Sequence, residues 1–97
     1  MGTQQIINDI STFISNNGGQ YRDWYVGITS EPEKRLFTDH SVNKQNDKWI
    51  HAPADTNDMA RAIEKHFLDL GCDGGGGGGD YTSKTVYAYQ KNSYTSQ

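Results

Sequence analysis

The segment from Trp24 to Thr29 constrains the fold most, because it is the clearest β-strand pattern in the chain. Its residues are aromatic, branched or small, as is typical of a strand bounded by polar turns. Alternation along a strand places two sets of side chains on opposite faces: Trp24, Val26 and Ile28 on one, and Tyr25, Gly27 and Thr29 on the other. The sequence therefore predicts a strand whose two faces differ in chemistry.

Two helical patterns flank this strand in the sequence. Isoleucine and phenylalanine recur at helical spacing between Gln4 and Asn16, which predicts an amphipathic helix that ends at Asn16-Asn17-Gly18-Gly19. After the strand, Ser30-Glu31-Pro32-Glu33 fits a capping box with an early proline. It predicts the start of a short helix that carries Arg35, Leu36 and Phe37, with His40 near its end.

Two more strands and one more helix follow. Trp49 to Ala52, before Pro53, is a short strand pattern. Asp55 or Thr56 would cap a helix that ends at Gly71, and its core stripe would be formed by Met59, Ile63, Phe67 and Leu70. Glu64 would lie at the flank of that stripe, half-buried. Thr85 to Gln90 is the last strand pattern, with Tyr87 and Tyr89 on one face and Val86 and Ala88 on the other.

The order of these elements is αβαβαβ, which predicts an α+β fold with a small three-stranded mixed or antiparallel sheet flanked by three helices. Ninety-seven residues form one domain over 1–97, with a glycine-rich loop at 71–84 and a polar tail at 91–97. The six glycines from Gly74 to Gly79 allow three interpretations: a phosphate-binding loop, a flexible connector, or a loop packed closely on another element. The first lacks the required lysine, because Asp80 follows the last glycine.

Composition narrows the location and the partners. The single cysteine, Cys72, excludes an internal disulfide, and no export signal, lipidation signal or membrane-spanning run is visible. We therefore expect a cytoplasmic protein that does not enter a membrane. The net charge of −3 counts against nucleic-acid binding, although six cations could still gather on one side: Lys34, Arg35, Lys44, Lys48, Arg61 and Lys65.

Four side chains could carry phosphodiester chemistry together. A phenol at Tyr25 can bond a phosphate or a water, and the planar fork of Arg35 matches phosphate oxygens. His40 could donate to phosphate or transfer a proton. Glu64 could be the sole carboxylate ligand of Mg²⁺, which keeps several waters. Each also has a structural interpretation. Tyr25 could be an ordinary strand aromatic, and Arg35 could form a helical ion pair with a neighbouring acid. His40 could cap its helix, and Glu64 could pair with a surface lysine.

Zinc is an alternative that three histidines suggest. His40, His51 and His66 nevertheless lack the short ligand spacing of structural zinc sites. We therefore regard zinc as the weaker metal hypothesis.

The order of Tyr25-Val26-Gly27, Thr29, Arg35 and His40, with Glu64 on a later helix, resembles the GIY-YIG nuclease superfamily. The resemblance covers about Trp24 to Leu70. It implies catalytic roles for Tyr25, Arg35 and His40, substrate binding at Gly27, Thr29 and Lys34, and Mg²⁺ or Mn²⁺ held by Glu64.

The first Gly-Ile-Tyr strand of that superfamily is absent before Trp24. If Thr85 to Gln90 lies antiparallel beside Trp24 to Thr29, the sheet is a circularly permuted version, and Tyr87 or Tyr89 replaces the missing tyrosine. Tyr21 is the other candidate. We expect this strand pairing, and we expect Tyr25, Arg35 and Glu64 to converge on one concave surface.

These expectations lead to three functional hypotheses. The first is an endonuclease that hydrolyses DNA or RNA phosphodiesters with one divalent metal, and whose specificity would come from substrate structure, a partner protein or self-association. The second is a non-catalytic binding protein for a nucleotide or a protein, such as a phage or mobile-element accessory protein. The third is an α+β interaction domain whose polar tail merely trails. Clustering of Lys34, Arg35 and Lys48 around Tyr25 would favour nucleic acid.

Overall fold

The computed structural model describes residues 2–74 and 82–97, and within these ranges the α+β prediction is confirmed. A three-stranded antiparallel sheet is combined with three helices in the order αβαβαβ. The elements are α1 (Thr3–Asn16), β1 (Trp24–Thr29), a π-helix (Lys34–Asp39), β2 (Trp49–Pro53), α2 (Asn57–Leu70) and β3 (Thr85–Gln90), with a 3₁₀ turn at Tyr21–Asp23. Most of the glycine run lies outside the described residues, so its interpretations stay predictions.

β3 is the central strand of the sheet, and β1 and β2 each pair with it in antiparallel orientation. The expected pairing of Thr85–Gln90 with Trp24–Thr29 is confirmed. In this register Tyr87 lies opposite Gly27, and Tyr89 lies opposite Tyr25. The last strand of the chain therefore stands directly beside the strand on which the resemblance rests.

The two faces of the sheet bury different kinds of side chain, as the alternation predicts. One face packs against α1 and α2 in an apolar core that includes Trp24, Val26 and Ile28. The other face carries a smaller, aromatic cluster: Tyr25, Leu36, Val42, Tyr87 and Tyr89. Burial of apolar surface stabilises by about 25 cal/mol per Å², so the larger cluster supplies most of the stability.

The helix after β1 differs from the prediction in its geometry. It is a π-helix, in which the N–H of His40 donates to the carbonyl of Arg35 at 2.9 Å, five residues back. The expected capping box is wrong, because among the described residues no side chain caps this helix; instead Thr29 Oγ1 accepts the N–H of Glu31 at 3.0 Å. Such π-turns are rare and frequently occur at functional sites.

The chain turns sharply after this helix. Ser41 has a φ of 59°, in the left-handed region that non-glycine residues seldom adopt. The turn lets the N–H of Val42 donate to the carbonyl of Leu36 at 3.0 Å. His40 is thereby held at the helix end with its ring directed into the aromatic cluster, where it is 3% exposed.

α2 begins and ends where the sequence indicates. Thr56 accepts the N–H of Met59 as its cap, and Gly71 ends it with a φ of 116°. The predicted core stripe is wrong at Leu70, which is 44% exposed, while Ala60 takes part in the core. Glu64 is more deeply buried than predicted, at 4% exposure. Among the described helices, none has the length and apolarity required to cross a bilayer.

Candidate functional site

Aromatic rings of β1 and β3 form the floor of the candidate site. The Tyr25 ring lies nearly parallel to those of Tyr89 and Tyr87, with centroids 5.3 Å and 6.3 Å away. The His40 ring is 4.7 Å from Tyr25. All four rings are at least nine-tenths buried. The structure therefore brings the predicted Tyr25, His40 and Tyr87 into one contact cluster.

His40 is hydrogen-bonded at both ring nitrogens. Nδ1 lies 2.6 Å from the carbonyl oxygen of Ser96, and Nε2 lies 2.8 Å from the hydroxyl of Tyr87. A carbonyl can only accept, so Nδ1 carries the proton in the neutral ring and Nε2 accepts from the phenol. Burial is the main cause of a lowered His40 pKa, which keeps the ring neutral. This is the state in which a histidine can take up a proton.

Tyr87 links His40 to the arginine of the π-helix. Its hydroxyl donates to His40 Nε2 and accepts from the Arg35 guanidinium. Burial, then the nearby Tyr25, raises the pKa of Tyr87 to about 12, so the phenol is protonated at neutral pH. A phenol that donates on one side and accepts on the other can pass a proton between its neighbours.

The Tyr87 ring fills the space above Gly27. A Cβ atom at that position would lie 2.5 Å from the Tyr87 hydroxyl oxygen and 2.6 Å from the ring carbon that bears it. Gly27 therefore accommodates a side chain of the neighbouring strand, whereas its predicted contact with substrate stays a prediction. Glycine here lets the phenol lie flat against β1.

Substitution of Gly27 with alanine tests this packing. The added methyl must displace the Tyr87 ring, which is 1% exposed and has little room to move. We expect loss of the Tyr87–His40 hydrogen bond and a destabilisation of about 1–3 kcal/mol, measured by denaturant unfolding and by the NMR shift of the His40 ring. Gly18→Ala is the comparison for a glycine with no neighbouring atom, although its φ of +73° carries its own strain. An unchanged His40 environment in Gly27→Ala would contradict the assignment.

A polar cleft of about 280 Å³ opens beside this cluster. Three predicted site residues line it, Thr29, Lys34 and Arg35. Its remaining lining residues are Ile28, Ser30, Glu31, Asp39 and Ser83. Tyr25 and Glu64 are not among the lining residues, so the predicted concave surface contains only one member of the expected trio, Arg35.

Both cations of the cleft form ion pairs with Asp39. Asp39 accepts from Arg35 Nη1 at 3.2 Å and lies 3.8 Å from Lys34 Nζ. The hydrogen bond to Asp39 is the main cause of a raised Arg35 pKa. The guanidinium side chain is 44% exposed, so this pair contributes little to stability and an anion can displace it. Both cations are therefore available to a phosphate.

The other four cations that could have gathered on one side with Lys34 and Arg35 do not line the cleft. Lys44 pairs with Glu33, and Lys65 pairs with Asp69 on the exposed surface of α2. Arg61 bonds Asn57, also on α2. Lys48 is exposed directly before β2. The positive charge at the cleft comes from Lys34 and Arg35 alone among these six.

Glu64 reaches this cluster electrostatically from α2. Its charge is one of the contributions that raise the pKa of Tyr87. Tyr87 contacts Tyr25 and accepts from Arg35, whereas Glu64 acts on it only through its charge. Glu64 is buried in α2, whereas a pair with a surface lysine was the structural alternative for it.

The polar tail packs onto the site and does not trail away, contrary to the third hypothesis. Besides the bond to the His40 ring, the N–H of Ser96 donates to the His40 carbonyl at 2.8 Å. Tyr89 donates to Gln97 Oε1 at 3.1 Å, and Tyr94 donates to Asp47 in the loop before β2. The tail thus fixes both the backbone and the ring of His40.

The lowered pKa of His40 makes stability depend on pH. Below its ordinary value of 6.5 the unfolded chain binds a proton that the folded chain resists, so the free energy of unfolding falls as the pH drops. We expect the denaturant midpoint to be lower at about pH 5.5 than at about pH 7.5. His40→Gln should reduce this difference, whereas substitution of the exposed His66 should not. An identical pH profile in His40→Gln would contradict the assignment.

Sequence reasoning anticipated the helical ion pair of Arg35 with Asp39 but missed Ser96. Ser96 takes part through its backbone carbonyl, which has no sequence motif. Tyr21, the other candidate for the missing tyrosine, packs against Phe67 in the apolar core.

His51 stacks on Trp49, and His66 contacts Phe67. Across residues 2–74 and 82–97 no group of three or more histidine, cysteine, aspartate or glutamate side chains is arranged to hold a metal ion.

Comparison with protein-family models, with curated proteins and with solved structures finds no match to this chain.

Proposed function

We propose that this chain is a one-metal phosphodiesterase that cleaves nucleic acid, built as a circularly permuted GIY-YIG-like domain. The observation that carries the proposal is the position of Tyr87: it stands on the strand beside β1, opposite Gly27, and contacts His40 and Arg35. That is the place that the absent first strand would have filled. Tyr87, and not Tyr21, is the substitute tyrosine.

The cleft supplies the binding site for the phosphate. Arg35 and Lys34 provide two positive charges at its wall, and Thr29 adds a hydroxyl. An incoming phosphate competes with Asp39 for the exposed guanidinium, and bidentate arginine bonds to phosphate are among the stronger hydrogen bonds in proteins. Phosphate binding also draws Arg35 from the Tyr87 hydroxyl, which opens that buried oxygen to a water.

Glu64 is the residue that would hold the divalent metal. Mg²⁺ is commonly bound through one or two carboxylates, with waters and substrate phosphate oxygens completing its shell. Glu64 is buried and does not line the cleft, so it would hold the ion only after its side chain turns toward the bound phosphate. When bound, the ion would neutralise charge that develops on the phosphate. Mn²⁺, which favours the same oxygen ligands, could replace it.

Proton transfer follows the hydrogen bonds of the cluster. As a water attacks phosphorus it gives a proton to the Tyr87 oxygen, and Tyr87 passes its own proton to His40 Nε2. The bond to the ester oxygen breaks, and that oxygen takes a proton from solvent. The resulting imidazolium keeps its Nδ1–H bond to the Ser96 carbonyl, which favours the protonated ring, while the charge of Arg35 opposes it more than that of Asp39 supports it. Arg35 stabilises the charge on the equatorial phosphate oxygens.

Cleavage assays on labelled single-stranded, duplex and branched oligonucleotides test the proposal. We expect Mg²⁺- or Mn²⁺-dependent cleavage, no detectable cleavage by Glu64→Gln, and unchanged cleavage by Glu33→Gln, whose carboxylate is 73% exposed. Circular dichroism and thermal unfolding must show that both variants are folded. If the native chain cuts none of these substrates with either metal, the enzyme proposal fails.

Binding measurements then separate the remaining hypotheses. Binding of oligonucleotides that weakens steeply with salt would assign the chain to nucleic acid without hydrolysis. Salt-insensitive binding, or none, would favour a protein or small-ligand partner.

A further inference from the structure

Three aromatic rings form a row beside the proposed site, on the sheet face that carries Tyr87. Trp49 and His51 belong to the edge strand β2, where they pair in register with Tyr89 and Tyr87. Phe37 joins them from the π-helix. We call Phe37, Trp49 and His51 the aromatic row. All three side chains are half-buried, so each presents part of its surface to solvent.

The rings of the row are held in fixed positions. Trp49 and His51 lie nearly parallel, with centroids 5.7 Å apart and an interplanar angle of 19°. Phe37 meets Trp49 edge-on at 5.0 Å and 80°. Trp49 Nε1 donates to the carbonyl oxygen of Lys44 at 3.0 Å. Because the rings are already ordered, a ligand that stacks on them loses little side-chain entropy on binding.

Positive charge accompanies the aromatic surface. Lys44 Nζ lies 5.5 Å from the centroid of Phe37, and Lys48 is exposed directly before Trp49. The partner of Lys44, Glu33, is 3.7 Å away in a pair that is exposed on both sides, and such a pair is weak. Ordered aromatic rings next to exposed cations are the combination that binds single-stranded nucleic acid.

The row is also next to the proposed site along the sheet. Adjacent strands are about 4.8 Å apart, and His51 is the direct neighbour of Tyr87 across the β2–β3 pair. A strand whose phosphate occupies the Arg35 cleft would bring its adjoining base to the row. In a duplex the faces of that base are covered by its neighbours, so only an unpaired or extruded base can stack there.

We propose that the aromatic row binds an unstacked base of single-stranded nucleic acid, next to the phosphate that is cleaved. This inference rests on the proposed function for the identity of the ligand. It adds the substrate class: single strands, or unpaired segments, in preference to continuous duplex.

Tryptophan fluorescence isolates the row. The chain has two tryptophans, of which Trp24 is fully buried in the opposite face, so a short oligothymidylate should quench the emission of Trp49. The titration is done in EDTA, where no metal-dependent cleavage occurs. The same backbone with abasic positions, and a duplex of equal length, should bind more weakly and quench less.

Substitutions in the row test its contribution to affinity. Because stacking on one base is worth about 1–3 kcal/mol, Trp49→Leu should weaken binding of a labelled oligothymidylate by about 5- to 150-fold in fluorescence anisotropy. Trp49→Phe, which keeps an aromatic face, should restore most of the affinity. His51→Ser should weaken binding in the same direction and provides a second test if Trp49→Leu does not fold. His66→Ser, at an exposed histidine of α2, is the matched control.

The outcomes separate this inference from the proposed function. The inference is overturned if oligonucleotides bind or are cleaved without a change in Trp49 emission, and if folded Trp49→Leu or His51→Ser keeps full affinity. That result leaves the enzyme proposal intact. Quenching and row-dependent affinity without any cleavage support the row and overturn the enzyme. Absence of oligonucleotide binding overturns both. Trp49 emission could also change with protein concentration in the absence of oligonucleotide. If sedimentation then shows dimers, the row binds a second copy of the chain, and the inference is overturned.

Discussion

Replacement of Arg35 with alanine is expected to lower the rate of phosphodiester hydrolysis by about 10²–10³-fold, the usual cost of losing one electrostatic stabiliser of a transition state. Arg35 supplies one of the two cleft cations and contacts Tyr87. Its pair with Asp39 is exposed, so stability should change by less than about 1 kcal/mol.

Single-turnover cleavage with Mg²⁺ measures this effect. Arg22→Ala is the matched control, because Arg22 is exposed in the 3₁₀ turn and does not line the cleft. Arg35→Lys keeps the charge without the planar fork and should recover only part of the rate. If Arg35→Ala cleaves as fast as the native chain, the phosphate does not bind in this cleft.

The second large effect is expected from Tyr87→Phe. The substitution removes the hydroxyl that joins Arg35 to His40, and proton transfer by a positioned group contributes about 10²–10⁴-fold. Tyr89→Phe is the matched control: its hydroxyl lies 3.1 Å from His40 Nδ1 and also reaches the tail, away from Nε2. We expect a much smaller loss there.

The pair of variants decides which tyrosine replaces the missing one. Rate constants measured across pH should lose their acid limb in Tyr87→Phe and keep it in Tyr89→Phe, because only Tyr87 connects to the accepting nitrogen of His40. Equal losses in both variants would indicate that the cluster acts through packing and not through proton transfer.

The sequence predicts the strands and the two longer helices because their signals are local. The two faces of β1 and β3 follow from alternation within each strand. The ends of α2 follow from residues at its own termini, Thr56 and Gly71. The pairing of β3 with β1 was also predictable, since Tyr87 and Tyr89 match the chemistry of the Tyr25 face.

Other features depend on contacts that have no local signal. The π-helix arises where Leu36 and His40 are both drawn into the aromatic cluster, and the helical spacing of Arg35 to Phe37 does not distinguish it from an α-helix. The docking of Ser96 on His40 joins residues 56 apart in the sequence. The burial of Glu64 depends on how α2 is rotated about its axis. The spacing of the apolar residues in α2 does not fix that rotation closely enough to decide whether a residue beside the core stripe is buried.

The strand order has a consequence for the sequence of events in folding. β1 and β2 do not pair with each other, and both need β3, which comes last in the described chain. During synthesis no strand pair can therefore form until β3 has left the ribosome, and until then the aromatic face of β1 lacks its cover. Pairing of strands that are distant in the sequence is slow, because the chain loses loop-closure entropy before the stabilising contacts form. Sheet and site should consequently appear in a single late step.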